Sequence, residues 1–348
     1  MCGDTLLDPT AYPEAPNRRT QEHVFPRWLQ SDHDMWNQAI HLKNTTTLPY
    51  RSLTVNACYS CNSQHLGPLE ERVATAFRTG TDAVRALDRR DLYLWLTKLY
   101  YCLLFKELTL QADRRTPTAG SITTSDQLSG YSLMHALLQA ARGLVTWPTD
   151  LRHDIPGSIT ILTAQQSSNT RLNFSYVDGL GLPYLAVRIR ETAVFAVLED
   201  WGEFETKWAH TTEPDNLFPQ LHVAKSLALT PTQFTELAVL VNVLARDLDR
   251  HWTYLTLQGA DGLTLIPATA TGNSNPSGKF GPQWFQAYAA VLASHLHRPL
   301  SDVYDSERGV VSWICDTNGI PNPAQWNGQG CVDPKCNHTD TARCGMSG

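Results

Sequence analysis

Two short groups of residues near the N-terminus combine side chains that bind metal ions or activate water. The first is Glu22-His23, and the second is a Cys-x-x-Cys-Asn motif that begins at Cys58 and ends at Asn62. Cys58 and Cys61 have the spacing of half of a tetrahedral zinc site. The alternative for these two cysteines is a pair of buried thiols without a metal.

In this order, the two groups resemble the HNH endonuclease family, and in particular its bacterial branch. That branch has Glu-His-x-x-Pro, then Cys-x-x-Cys-Asn, then a tail similar to Gly-x-Leu-Glu, and the three patterns begin here at Glu22, Cys58 and Gly67. The resemblance covers residues 2–75. It implies a ββα-metal fold, in which a β-hairpin carries the histidine and the following helix carries a metal ligand.

The resemblance also implies a role for individual residues. His23 would be the general base that activates water to attack a phosphodiester, and an imidazole suits this role because its pKa lies near neutrality. Glu22 and Asn62 would hold one Mg²⁺ or Mn²⁺ ion, since oxygen ligands suit such hard cations. His65, on the same helical face as Asn62, would be a further ligand or contact phosphate, and Arg27 would also contact phosphate.

Several of these roles have a structural alternative. His23 would otherwise be a hydrogen-bonded surface histidine, and Asn62 would be a helix N-cap, a position that asparagine favours. Asn56 corresponds to the middle asparagine of the family motif, and the resemblance implies only a structural role for it. The insert between the two motifs contains three polar residues to which the sequence assigns no role, namely His33, His41 and Asn44.

The structural zinc site implied by the resemblance needs ligands besides Cys58 and Cys61. The family often has another Cys-x-x-Cys near the start, of which only Cys2 and the following glycine are present here. We therefore expect that the chain begins upstream of Met1 or that the site is completed elsewhere, for example by a C-terminal cysteine. The C-terminal segment is either a tail with incidental cysteines or a second zinc site. Its candidate ligands are Cys331, Cys336, His338 and Cys344.

The composition is that of a globular protein with one sizeable core. The chain has 348 residues, of which 42% are hydrophobic and 18% charged. Its net charge of -6 argues against a protein that coats nucleic acid by bulk charge, so DNA contact would be confined to one face. Residues 72–115 are rich in arginine and lysine, which favours either phosphate contacts beside the active site or an ordinary solvated helical face.

The sequence also predicts a cytoplasmic protein. The N-terminus lacks the basic and apolar segments of a signal peptide. The most apolar stretch, residues 92–108, contains Lys98 and is shorter than the ~20 apolar residues of a membrane-spanning helix. Thiols stay reduced in the cytoplasm. We therefore interpret Cys102, in this stretch, and Cys315, beside Trp313, as core residues.

The spacing of apolar residues predicts the elements that position these groups. Helices are expected over residues 69–77, 88–111, 125–144 and 283–297, with a break at 79–81. Another helix is expected after Thr230-Pro231, where Gln233 completes a capping box. Short β-rich segments at 158–162, 172–176, 185–190 and 193–198 predict a β-meander. The Gly/Asn/Ser-rich segment 269–281 does not have the spacing of a P-loop.

Together these patterns predict an α+β protein: a small ββα-metal module over residues 1–75, then a larger helical domain with an antiparallel β-meander over 76–330, then a Cys/His-containing tail over 331–348. The predicted function is hydrolysis of phosphodiester bonds in DNA, most simply double-stranded DNA, with structural Zn²⁺ and catalytic Mg²⁺ or Mn²⁺. The larger domain, whose role is unassigned, would bind a protein partner or form an oligomer, with no membrane involved. The alternative is a zinc-stabilised binding module without catalysis. A third hypothesis is that the larger domain is an unrelated enzyme, but its sequence shows no nucleophile–base motif that would support this.

Overall fold

The structure is a computed structural model, and it combines helices and strands as an α+β protein does. It describes residues 4–41, 47–113, 115–143, 145–146, 154–179, 183–209, 218–246, 253–259, 262–268, 281–307, 309–316 and 318–322. Within these ranges, no helix combines the length and the apolar character that crossing a membrane requires.

The α-helices range in length from about one turn to 19 residues. They are α1 Arg27–Asp32, α2 Gly67–Thr79, α3 Thr81–Ala86, α4 Arg89–Glu107, α5 Ser125–Ser129, α6 Ser132–Leu138, α7 Glu203–Ala209, α8 Pro219–Val223, α9 Pro231–Arg246 and α10 Pro282–Leu296. A π-helix, Ser60–Leu66, leads directly into α2.

The strands are short and form several small sheets besides one larger sheet. They are β1 Arg19–His23, β2 Ala39–His41, β3 Thr47–Pro49, β4 Thr54–Cys58, β5 Val145–Thr146, β6 Ser158–Ala164, β7 Phe174–Asp178, β8 Tyr184–Ile189, β9 Thr192–Val197, β10 Ala228–Leu229, β11 Thr253–Gly259, β12 Gly262–Ala268, β13 Tyr304–Asp305 and β14 Gly309–Val310.

The chain forms two compact units. The first consists of residues 1–78, 86–154 and 253–268, and the second of residues 79–85, 155–252 and 269–348. Residues 86–154, which the sequence grouped with the larger domain, lie in the first unit because α4 packs against β4.

In the first unit, β1 and β4 form an antiparallel pair, and β4 continues through the π-helix into α2. The central helix α4 is buried along most of its length, as its apolar sequence predicts. Asp88 caps it by accepting a hydrogen bond from the backbone nitrogen of Arg90 at 2.8 Å. Trp95 from α4 packs against Trp28 and Phe77, with ring centroids 6.1 and 5.6 Å away. This aromatic cluster anchors α1 and α2 on α4.

The prediction of one helix over residues 125–144 is wrong. The chain instead forms α5, which ends at Ser129, and α6, which begins at Ser132. A complete capping box between Thr124 and Gln127 begins α5, and Gly130 lies at its C-cap. Glycine is a poor helix former, so the helix ends where the glycine occurs. Leu144 lies outside the described residues.

In the second unit, a five-stranded sheet has the order β10-β6-β9-β8-β7. Strands β7, β8 and β9 form the predicted antiparallel meander, whereas β6 pairs with β9 rather than with β7. Residues 165–173 between β6 and β7 include a loop and a 3₁₀ turn, so these two strands are not joined by a tight hairpin. The buried helix α9 packs on this sheet. Most of segment 269–281 lies outside the described residues.

Helix α9 begins with the predicted capping box. The backbone nitrogen of Thr230 donates to Gln233 Oε1 at 3.0 Å, and the nitrogen of Gln233 donates to Thr230 Oγ1 at 3.3 Å. One turn later, the fully buried carboxylate of Glu236 accepts hydrogen bonds from Ser312 Oγ at 2.6 Å and from the Trp313 nitrogen at 2.8 Å. These hydrogen bonds hold the segment after β14 against α9.

Glu236 gives the second unit a pH-dependent stability. Burial raises the pKa of this carboxyl to about 7, although its hydrogen bonds with Ser312 and Trp313 oppose the rise. In the unfolded chain the pKa of a glutamate is about 4.3, so the folded state binds the proton more tightly. The resulting stabilisation is complete below about pH 4 and is lost as the pH rises through about 7.

We therefore expect the Tm of the wild type to fall between about pH 5 and pH 8, and to fall less in Glu236→Gln. The measurement is thermal unfolding followed by circular dichroism at both pH values. Glu307→Gln, at an exposed position, is the matched control and should behave as the wild type. An equal fall in Glu236→Gln and wild type would contradict this role.

Candidate functional site

The residues of the Glu-His motif lie at the end of β1. In the antiparallel pair with β4, Glu22 faces Val55 and His23 faces Thr54 in the register. His23 is the last residue of β1, and Glu22 directly precedes it. Both are largely buried, with 5% of Glu22 and 8% of His23 exposed.

The Glu22 carboxylate lies in a buried ionic cluster with Lys98 from α4 and Glu70 from α2. Its Oε1 contacts Lys98 Nζ, which also donates to Glu70 Oε1 at 2.5 Å and to the backbone carbonyl of His23 at 3.1 Å. Burial alone would lower the pKa of Lys98, but the two carboxylates raise it above its ordinary value. The cluster therefore holds a charged ammonium beside the end of β1.

The His23 imidazole lies beside the ring of Trp36. The two ring centroids are 5.7 Å apart and the planes are tilted by 35°, while Trp36 itself remains 42% exposed. Burial lowers the pKa of His23, and the positive charges of Arg27 and Lys98 lower it further. The imidazole is therefore neutral at neutral pH, the form that accepts a proton. Arg27, at the start of α1, is exposed.

The Cys-x-x-Cys-Asn motif begins at the end of β4 and continues in the π-helix. Cys58 and Cys61 are each 2% exposed, and the backbone nitrogen of Cys61 donates to Cys58 Sγ at 3.3 Å. The Asn62 amide nitrogen donates to Thr20 Oγ1 at 3.1 Å and to the Gln21 carbonyl at 3.4 Å. These contacts hold Asn62 against β1.

Asn62 is not a helix N-cap, so that alternative is wrong. The N-cap position of the π-helix belongs to Tyr59, and Asn62 lies within the helix. Its amide nitrogen is used by the bonds to β1, which leaves the amide oxygen as the atom that can bind a cation. Asn56 accepts a hydrogen bond from Gln21 Nε2 at 2.7 Å, so it forms a cross-strand pair between β4 and β1.

His65 lies near the end of the π-helix and is half-buried. It lines a small cavity together with Cys61 and with residues of the segment after α6, among them Gln139 and Arg142. Across the described part of the chain, no three His, Cys, Asp or Glu side chains gather around a point where a metal ion would bind. A zinc ion at the cysteine pair would need ligands from elsewhere.

The remaining candidate zinc ligands lie outside the described residues; they are Cys2, Cys331, Cys336, His338 and Cys344. The structure describes the backbone of His41 but not its side chain, and Asn44 also lies outside the described residues. His33 is buried. Cys102 and Cys315 are buried with free thiols, which confirms their interpretation as core residues.

Much of the positive charge of residues 72–115 is already paired. Arg72 bonds both oxygens of Asp91, Arg78 bonds both oxygens of Asp32, and Arg85 contacts Asp82 at 2.9 Å. Lys98 is buried and paired with Glu22 and Glu70. These pairs favour the ordinary helical face over a continuous phosphate-binding surface.

Sequence reasoning missed two neighbours of the motif residues, Lys98 and Trp36. The signal for Lys98 was available, because a lysine inside a buried apolar helix is rare unless a carboxylate pairs with it. Which carboxylate it meets depends on tertiary packing. Trp36 lies in the long insert between the motifs, and no periodic pattern relates it to His23.

Comparisons of the chain with protein-family models, with curated proteins and with solved structures gave no match. The assignment of a function therefore depends on the chemistry of the residues around β1.

Proposed function

We propose that the protein is a metal-dependent endonuclease of the HNH type that hydrolyses phosphodiester bonds in DNA. The observation that carries the proposal is the meeting of the two motifs at β1. Glu22 and His23 end this strand, and Asn62, from the helix that follows β4, hydrogen-bonds to the same strand. Two antiparallel strands followed by a helix are the arrangement that the resemblance implies.

His23 is the general base in this proposal. Its imidazole is neutral at neutral pH because burial and nearby cations lower its pKa. A neutral imidazole can take a proton from a water molecule as that water attacks phosphorus. The exposed guanidinium of Arg27, at the start of α1, is the group we assign to a phosphate contact.

The residues present fit a hard divalent cation. Glu22 supplies a carboxylate and Asn62 an amide oxygen, and Mg²⁺ is commonly held by one or two protein oxygens with the remaining positions taken by water. When bound, the ion supplies electrostatic stabilisation of the charge that develops on the phosphate and the leaving 3′ oxygen. We assign Glu22 and Asn62 as its ligands and keep His65 as a further ligand or phosphate contact.

A structural Zn²⁺ at Cys58 and Cys61 completes the proposal. The two thiols are buried, and the Cys61 nitrogen donates to Cys58 Sγ, so a thiolate at residue 58 would have a hydrogen-bond donor in place. The pair follows β4 directly and precedes Asn62. A zinc ion there would fix the end of β4 relative to the helix that carries Asn62. The proposed setting is the cytoplasm, where thiols stay reduced.

The second candidate is a zinc-stabilised binding module without catalysis, in which another part of the chain binds a protein partner. The observation that favours it is the ion pair between Glu22 and Lys98, because it occupies a carboxylate that the nuclease needs for a cation. The limited exposure of His23 also favours it.

Nicking of supercoiled plasmid by the purified full chain separates these candidates. The nuclease proposal predicts conversion to open circles with Mg²⁺ or Mn²⁺ and none with EDTA. A protein that contains zinc but leaves the plasmid supercoiled under every condition would support the binding module instead. Single-stranded DNA and RNA, offered in parallel, test the proposed preference for duplex DNA.

A further inference from the structure

Lys98 is a charged residue with an unusual position. Its side chain is 1% exposed, although it belongs to the apolar helix α4. The ammonium has three donors, and three acceptors surround it: carboxylate oxygens of Glu22 and Glu70, and the backbone carbonyl of His23. A buried lysine with a full set of acceptors fixes the positions of the groups that accept from it.

The cluster contains two carboxyl groups and one ammonium. With both carboxyls ionised, one negative charge is left over. The Glu22 side chain is the more buried of the two carboxylates, with 7% exposed against 20% for Glu70. An excess negative charge in a poorly solvated place attracts a further cation more strongly than it would at the surface.

We propose that Lys98 is the internal counter-ion of Glu22, with which a bound divalent cation must compete. This inference depends on the proposed function, because it takes Glu22 as a cation ligand. Lys98 keeps the carboxylate oriented and holds the carbonyl of His23. Glu70 keeps the ammonium paired when Glu22 turns an oxygen towards the cation.

The physical reason for competition is repulsion between like charges that share one carboxylate. An ammonium and a divalent cation within a few ångströms repel each other strongly where the dielectric constant is low. Lys98 therefore lowers the affinity of the site for the cation, and Glu70 limits this loss by drawing the ammonium towards α2. Removal of the ammonium should raise cation affinity while it lowers the stability of the cation-free protein.

The test is calorimetric titration of the full-length protein with Mn²⁺, combined with thermal unfolding with and without Mn²⁺. We expect Glu22→Gln to weaken binding, and Lys98→Met to tighten it about tenfold or more. Lys98→Met should also lower the Tm without Mn²⁺ by about 10 °C, and Mn²⁺ should restore more of this loss than it adds to the wild type. Lys106→Met, on the same helix, is the control and should bind Mn²⁺ as the wild type does.

The double variant Lys98→Met/Glu70→Gln keeps the wild-type charge of the cluster. It is used for the same titration if Lys98→Met does not fold. Direct competition predicts that it also binds Mn²⁺ more tightly than the wild type. Wild-type affinity in the variants without Lys98, together with weakened binding in Glu22→Gln, would overturn the role of Lys98 alone. Unchanged binding in Glu22→Gln would overturn both this inference and the cation site of the proposed function.

Discussion

His23→Ala is expected to reduce the rate of plasmid nicking by about 10²–10⁴-fold, the usual contribution of a general base. The imidazole is the proposed acceptor of the proton that the attacking water loses. Its loss should leave the fold intact, because the imidazole packs beside the ring of Trp36, and the carbonyl that Lys98 bonds belongs to the backbone and remains. The measurement is the initial rate of open-circle formation with saturating Mn²⁺.

The control for His23→Ala is His222→Ala, an exposed histidine of α8 in the second unit. This variant should nick as fast as the wild type and passes through the same purification. Equal rates for the wild type and His23→Ala would mean that another group is the base or that a contaminating nuclease cuts the plasmid. Circular dichroism of both variants shows whether a change in rate reflects a change in fold.

Cys58→Ser and Cys61→Ser are expected to abolish zinc binding and to destabilise the first unit. Structural zinc in small domains contributes about 10–16 kcal/mol of apparent binding free energy, so its loss commonly unfolds the segment it holds. Here that segment includes the end of β4 and the π-helix, to which Asn62 belongs. Measurements of zinc content and of cleavage by a protease should therefore change together.

Cys315→Ala is the matched control, because Cys315 is a buried free thiol in the second unit. It should retain the zinc content of the wild type. Stoichiometric zinc in Cys58→Ser, or its absence from the wild type, would contradict a zinc site at this cysteine pair. A variant that keeps its zinc and loses protease resistance would instead indicate that Cys58 is a packing residue.

Local sequence patterns predicted the elements whose signals lie within a few residues. The capping box at Thr230 and Gln233 begins α9, and the apolar run of α4 is buried as expected. The break between α2 and α3 falls at Gly80, whose φ of 129° favours glycine. Each of these features depends on residues that lie close together in the sequence.

Features that depend on distant residues were harder to predict. The sequence did not indicate that β6 would pair with β9 across two intervening strands. It also did not indicate that α4 would join the unit of β1 and β4. Both results follow from which apolar faces pack together in three dimensions, and one sequence contains many combinations of such faces.

In the candidate site, too, local motifs were predictable and contacts with distant residues were not. Glu22, His23, Cys58 and Asn62 were recognisable because the two motifs have characteristic residue types and spacing. The contacts that decide their chemistry come from elsewhere in the chain. Lys98 reaches Glu22 from 76 positions away, and its position in an apolar helix gave only the expectation that some carboxylate would pair with it.

A cation titration of plasmid nicking by the wild type, Glu22→Gln and Asn62→Ala tests whether these residues hold the catalytic cation. A cation-dependent centre predicts that the rate for the wild type rises with Mn²⁺ to a plateau and vanishes with EDTA. It also predicts that each variant needs at least about tenfold more Mn²⁺ or never reaches that plateau. Superimposable titration curves for the three proteins, or nicking by the wild type that persists in EDTA, would contradict a cation-dependent centre built from Glu22, His23 and Asn62.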